Sequence, residues 1–461
     1  MEIRPTRVTW PGRPRTGAAV LWVVFVVAAV VSSVLVLRRP PDDRLSDLHI
    51  YYGAAEAVRA GDALYGFVAE NGGPFTYPPF AAVLFVMLTW VPELTLRIVW
   101  LTATAAAVAG LGVTLAHLLG RRAGLWAPGI AITVLVTASA QSNLRFGQVS
   151  VFLVLMALAD AAGLTPARHR GVLIGLAAAI KLTPLLFVLF FVSSRQIAPA
   201  VRASATFLGC ALVGAAVLPG DSWTYWSGTF LHTSRIGDLT STGNQSINGV
   251  LLRAGVPEHV LTPVWLALAA AVCLVALWQA RRAQLAAEPL RAAVVIGCAT
   301  VAASPVSWTH HQIWPALAAI ILIMGSGRPL SPASGERATP DGPAAPVQHP
   351  RSPAAPSDTT LPGELPPRND TPMPSEIPPR SGTTPSAVGV TAGRAAGIAG
   401  VALLATMIVS FGAVAGALHA YPLLQFLGDN ARALGAVAVC LAGLGITAAA
   451  SAPSSPVPET R

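Results

Sequence analysis

The sequence predicts an all-α protein that crosses a membrane many times. Three observations carry that reading. Of 461 residues, 53% are hydrophobic and only 11% charged, with a mean hydropathy of +0.60. A soluble domain carries roughly 25% charged residues. Apolar runs near the ~20 residues that a helix needs to cross a bilayer recur along the chain. The net charge of +9 is almost all Arg. These arginines sit in short loops and at the N-terminus, where charge orients a membrane protein; the same excess on a soluble chain would point to nucleic acid.

The first span is expected at 17–37, after Arg4, Arg7, Arg13 and Arg15, which place the N-terminus in the cytoplasm. Its apolar run is long for a signal peptide and no small-residue cleavage site follows cleanly, so it reads as an uncleaved anchor. Further spans are expected at about 77–91, 97–119, 125–140, 149–163, 171–193, 199–218, 260–279, 290–305, 312–325, 395–418 and 432–449, twelve in all. Arg281, Arg282 and Arg291 mark a cytoplasmic loop, so 219–258 and 306–311 fall outside, as does 38–76. With twelve full spans, Arg121–Arg122 and Arg168–Arg170 fall outside, against the positive-inside tendency. If 77–91 and 171–193 are re-entrant or broken, they fall inside. Later parity is the same either way.

The chain divides into a transmembrane module over 1–325, a stretch at 326–392, a pair of transmembrane helices over 393–450 and a tail at 451–461. The stretch 326–392 holds 16 prolines and almost no aromatic residues. It cannot bury a core and is expected to be a disordered cytoplasmic linker. Cys210, Cys273, Cys298 and Cys440 all lie in apolar runs, as neither a disulfide set nor a metal site.

Four polar clusters stand out at the ends of the apolar runs. From Leu48, apolar residues at 48, 51, 52, 55 and 58 mark one face of a short interfacial helix with Asp47 at its start. An acid there also suits a helix N-terminus. Tyr77-Pro78-Pro79 precedes the next apolar run, where Tyr at a headgroup boundary and Pro at a helix start are ordinary. The loop 219–258 carries Trp223, Tyr225, Trp226 and Phe230, then Asn244, Gln245 and Asn248. Aromatic faces stack on sugars and amides bind hydroxyls, although an aromatic belt and a turn explain the same residues. Ser304-Pro305 leads to Trp308-Thr309-His310-His311 at another membrane edge. Adjacent histidines on a helix point about 100° apart and rarely share a metal. A His at that level can bond a phosphate oxygen.

Lys181 is the only lysine in the chain and sits inside an apolar stretch. A charge there costs at least ~2.5 kcal/mol, so it is a functional candidate unless it snorkels to an interface. Arg145 and Gln148 form a weaker pair.

Asp47-Leu48 with Tyr51 and Ala54-Ala55, Tyr77-Pro78-Pro79, Gly147-Gln148, Lys181-Leu182-Thr183-Pro184, Asn244-Gln245-Ser246-Ile247-Asn248-Gly249 and Ser304-Pro305 through His311 occur in this order. The pattern resembles glycosyltransferase family 87, the polyprenol-phosphate-mannose-dependent α-(1→2)-mannosyltransferases of actinobacteria, over about residues 15–325. Each motif is weak alone; six in order are specific. The resemblance implies the GT-C membrane fold, an extracytoplasmic active site in the plasma membrane, and a lipid-phosphate sugar donor. It implies an inverting transfer of mannose to a hydroxyl of an envelope glycolipid or glycan, with Asp47 as catalytic base. His310, His311, Lys181 and Arg145 would hold the donor phosphate. Tyr51, Tyr77, Gln148, Asn244, Gln245, Asn248 and Trp308 would line the substrate site. One carboxylate suffices because the phosphate leaves without protonation. No acidic cluster suggests a divalent ion, so neither metal nor other cofactor is expected. Phosphatidylinositol mannosides, lipomannan or another envelope glycan all fit as acceptor. The Pro-rich insertion departs from the family pattern.

A GT-C enzyme moving another sugar, such as arabinose, fits the same motifs. A secondary transporter would also show many spans, broken helices and a buried Lys. It should show an internal hydropathy repeat, and none is found.

Overall fold

The computed structural model describes residues 16–231, 237–325, 387–409 and 420–444. The expectations for Arg4, Arg7, Arg13 and Arg15, and for nearly all of the Pro-rich linker, lie outside these residues. The protein is an all-helical polytopic membrane protein. Among the described residues, four helices are long and apolar enough to cross a membrane: α1 (Thr16–Leu37), α4 (Glu93–Leu118), α10 (Ile197–Val217) and α13 (Glu258–Leu285). Only 17% of the apolar stretch of α1, α10 or α13 is buried inside the protein. Bare Val and Leu surface of that extent belongs in lipid.

The expected span 125–140 is two helices, α5 (Ala123–Leu135) and α6 (Ala138–Phe146), bent by 68°. Thr137 makes the corner: its hydroxyl oxygen accepts the Ala140 N–H at 3.3 Å and so caps α6. The apolar helices α7 (Ser150–Ala161), α14 (Pro289–Ala303) and α15 (Ile313–Gly325) have 12, 15 and 13 residues. At 1.5 Å per residue they reach only ~18–22 Å of a ~30 Å hydrocarbon core.

Two expected spans fold back on themselves. The short helix expected around Leu48 forms as α2 (Ser46–Ala60), burying Leu48, Tyr51 and Ala55. Beneath it α3 (Pro79–Phe85) runs on into a 3-10 stretch, Val86–Trp90, and Arg59 of α2 donates to the Thr89 hydroxyl at 3.0 Å. The chain re-emerges beside α2, where Arg97 meets His49 at 3.3 Å. The second exception is α8 (Val172–Ile180), which climbs to Lys181, with α9 (Leu186–Ser193) returning. Arg202, just after that return, donates to the carbonyls of Arg170 (2.7 Å) and Ala167 (2.9 Å), at the foot of α8.

This path is the one the re-entrant alternative describes. Arg121 donates to the carbonyl of Met324 at the end of α15 (3.0 Å), and the Arg291 guanidinium lies beside Gly325. Arg121, Arg170, Arg202 and Arg291 thus share the face opposite to Lys181 and His311, as the re-entrant alternative requires. The C-terminal part comprises α16 (Ala387–Ile408), α17 (Pro422–Asp429) and α18 (Ala431–Ala442). Helix α16 begins at Ala387, within the stretch expected to be linker. Its Gly400 packs on Leu322 and Ile323 of α15.

Candidate active site

The residues around Asp47 and Lys181 come from five separate stretches. Asp47 lies in the first turn of α2, and its carboxylate does not cap the helix: the N-cap residue, Leu45, has a left-handed backbone (φ 52°) and no side-chain cap bond. The Leu45 N–H instead donates to the Arg145 carbonyl at 2.7 Å, tying α2 to the end of α6. The Asp47 Oδ2 accepts from the Gln148 side-chain amide. Gly147 makes that approach possible. It ends α6 with φ 67°, and a Cβ there would lie 2.7 Å from Leu48 Cβ, so only glycine fits.

From Gln148 the contacts continue. The Tyr77 hydroxyl donates to Gln148 Oε1 at 3.2 Å and meets the Tyr51 hydroxyl at 2.9 Å. Lys181 Nζ donates to the Tyr77 hydroxyl at 3.5 Å and lies 2.6 Å from His311 Nε2. Lys181 occupies the break between α8 and α9, where Pro184 prevents a continuous helix. The Trp308 N–H donates to His311 Nδ1 at 3.1 Å, which assigns the ring proton to Nε2, the atom facing Lys181. A cavity of about 40 Å³ adjoins this pair, lined among others by Ser150, Thr183, Ser304 and Trp314.

The electrostatics divide the cluster. Burial pushes the Asp47 carboxyl up to about 6, against the Gln148 hydrogen bond and the Lys181 charge, which both pull it down. Burial and the nearby Lys181 charge hold both His310 and His311 well below the usual histidine range. The histidines are therefore neutral hydrogen-bonding groups at neutral pH. His310 turns its ring onto Phe146, with centroids 5.7 Å apart, and neither ring nitrogen has a partner among the described residues. Its carbonyl accepts from Asn143 Nδ2 at 2.7 Å. Among the described residues no group of three or more His, Cys, Asp or Glu could hold a metal ion.

Several expected site residues have other work. Arg145 pairs with Asp43 (Nε to Oδ1, 2.8 Å) and packs on Phe146, so it fastens the segment ahead of Asp47. Asn244 Oδ1 accepts the Ser307 N–H at 3.0 Å while its Nδ2 donates to the Leu239 carbonyl at 3.0 Å. Asn248 donates to the Pro305 carbonyl at 3.2 Å. Gln245 bonds the Ser307 carbonyl through its N–H and two further segments through its side chain. These amides hold the turn that carries His311; they stand behind the pair. The Trp308 ring lies beside Gly237 and Gly243 of the same loop. Asn143 and Asp43 carry no mark in the sequence, and Ser307 stands in the Ser304–His311 cluster without a role. Asn143 stands two residues before Arg145, yet nothing local marks it as more than helical.

The profile of glycosyltransferase family 87 matches residues 75–305. The chain belongs to glycosyltransferase family 87. A polyprenol-phosphate-mannose-dependent α-(1-2)-phosphatidylinositol mannoside mannosyltransferase of Mycolicibacterium smegmatis is 34% identical over 58% of this chain and 67% of its own length. The protein of the same description from Mycobacterium tuberculosis is 33% identical over 67% and 77%. A phosphatidylinositol pentamannoside mannosyltransferase of M. smegmatis is 33% identical over 72% and 81%. No solved structure matches the chain. As a member of family 87 the protein is a glycosyltransferase, and the transporter reading falls away. The family match takes in Tyr77, Gln148 and Lys181 but ends before His311 and begins after Asp47. The geometry joins all five in one site.

Proposed function

We propose that the chain moves mannose from polyprenol-phosphate-mannose to a hydroxyl of a phosphatidylinositol mannoside, forming an α-(1→2) linkage, at the extracytoplasmic face of the plasma membrane. One observation carries the chemistry: a single carboxylate, Asp47, is joined through Gln148 and Tyr77 to a pair of phosphate-binding groups, Lys181 and His311. Inversion needs base and leaving group on opposite sides of the anomeric carbon. Asp47 takes the proton of the acceptor hydroxyl as its oxygen bonds to C1. The bond from C1 to the phosphate oxygen breaks, and its electron pair leaves with polyprenyl phosphate. Lys181 Nζ and His311 Nε2–H converge, so one anionic oxygen would accept from both as its charge grows.

Sidedness follows from the distribution of arginines. The face opposite the site bears Arg121, Arg122, Arg168, Arg170, Arg281, Arg282 and Arg291, the cytoplasmic signature. The site then opens outward. Short helices α7, α14 and α15 recess it below the headgroups, a depth suited to a phosphate whose tail stays in lipid. The test is to incubate membranes holding the protein with radiolabelled polyprenol-phosphate-mannose and phosphatidylinositol mannoside. Labelled, α-(1→2)-mannosidase-sensitive glycolipid is the expected product; transfer from an arabinose donor alone would replace this reading.

A further inference from the structure

We propose that the C-terminal pair α17–α18 is a positioning element of the catalytic site, latched to it by Gln245, Arg253 and Asn430. The proposal rests on the reading of Lys181 and His311 as the donor-phosphate groups.

The observation is an exchange of helix caps. Asn430 is the N-cap residue of α18, a position where its side chain would ordinarily accept one of the free N–H groups of the first turn. It makes no such bond. Its Oδ1 accepts instead from Arg253, at 3.0 Å from Nε and 2.6 Å from an η nitrogen. The helix receives its cap from elsewhere: the Ala433 N–H donates to Gln245 Oε1 at 3.0 Å. Gln245 Nε2 also donates to the Asp429 carbonyl at 2.6 Å. Gln245 and Asn430 are 1% and 0% exposed, so the exchange happens without competition from water.

The latch leads to the site in one further step. The Gln245 N–H donates to the Ser307 carbonyl at 2.7 Å, and Arg253 donates to the Asn244 carbonyl at 2.9 Å. Asn244 in turn accepts the Ser307 N–H at 3.0 Å. Ser307 opens the turn that ends at His311, 2.6 Å from Lys181. Loosening α17–α18 therefore loosens the loop from behind and lets His311 drift from Lys181. A displacement of about 1 Å at such a contact costs roughly 100-fold in rate.

The experiment uses the full chain and polyprenol-phosphate-mannose, with kcat and KM measured per folded enzyme. Arg253→Met and Asn430→Leu should each lower kcat about 10-fold or more while acceptor KM stays near the wild-type value. The double variant should be no worse than either single one, because both break the same bond. Asn430→Asp keeps the acceptor oxygen and should keep most of the rate. It also serves where Asn430→Leu fails to fold: a well-folded Asn430→Asp alongside a slow, well-folded Gln245→Leu supports the latch. Folded Arg253→Met and Gln245→Leu enzymes with wild-type kcat overturn it. If Lys181→Met is slow while both of these are fast, the phosphate reading survives without the latch; if Lys181→Met is also fast, the phosphate reading itself is wrong.

Discussion

The two ends of α8 each hold a charge, Asp160 fully buried and Lys181 half-buried, and the two are treated differently. At its foot, Asp160 is 0% exposed and receives the N–H groups of Gly171 (2.8 Å) and Ile174 (3.1 Å) and the Thr165 hydroxyl (2.6 Å). Its negative charge faces the positive end of the helix dipole. Every demand of that carboxylate is met within the fold, so nothing remains with which to do chemistry. At the other end Lys181 donates only to Tyr77 and faces a second donor, His311 Nε2–H, and Asp47 beyond them has one amide. Burial with full hydrogen bonding makes a strut. Burial with too few partners leaves a group free to act on a ligand.

The strongest way to break this contrast is to neutralise each carboxylate in turn. Asp47→Asn should lower turnover by ~100-fold or more with little change in thermal stability, since it removes only the base. Asp160→Asn should do the opposite, lowering the unfolding midpoint by an amount worth ~1–3 kcal/mol while kcat per folded enzyme holds. Near-normal turnover of purified Asp47→Asn would remove Asp47 as base.

Next in size is the pair at the upper end of α8. Lys181→Met and His311→Ala should each slow single-turnover mannose transfer, weaken donor binding, or both, by about 10-fold or more. His310→Ala should matter less, because its ring packs on Phe146 and does not meet Lys181. Unchanged donor binding and rates in both Lys181→Met and His311→Ala would dissolve the phosphate clamp.

The contrast can be sharpened by titration. A base must be ionised, and Asp47 titrates at about 6, so kcat/KM should fall about tenfold per unit as pH drops below that value. The Gln148 amide favours the charged form. Gln148→Leu should therefore move the acid limb to higher pH. A limb that stays put or moves down would mean that Asp47 is not the titrating base.

The smallest effect is one of sidedness. Single cysteines at Glu70 and Asp238 in a Cys-free chain should label with an impermeant reagent in intact cells. One at Arg168 should label only after permeabilisation. Labelling of the last in intact cells would invert the orientation.

By itself the sequence determined the membrane class, the short helix α2, the lone lysine and the motif order, because hydropathy and helical periodicity are local properties. It also named the two segments, 77–91 and 171–193, whose re-entrance would bring the arginines to one side. Only the tertiary structure decided that they fold back, that 125–140 bends at Thr137, and which polar residues meet. Asp47 reaches Gln148 across 101 residues and Lys181 reaches His311 across 130, pairings that no local pattern encodes. The same limit explains Asn244, Gln245 and Arg145, which have the composition of a sugar or phosphate site. Their hydrogen bonds are filled by Ser307, by α18 and by Asp43, and a side chain's chemistry depends on which of its polar atoms the fold leaves unfilled.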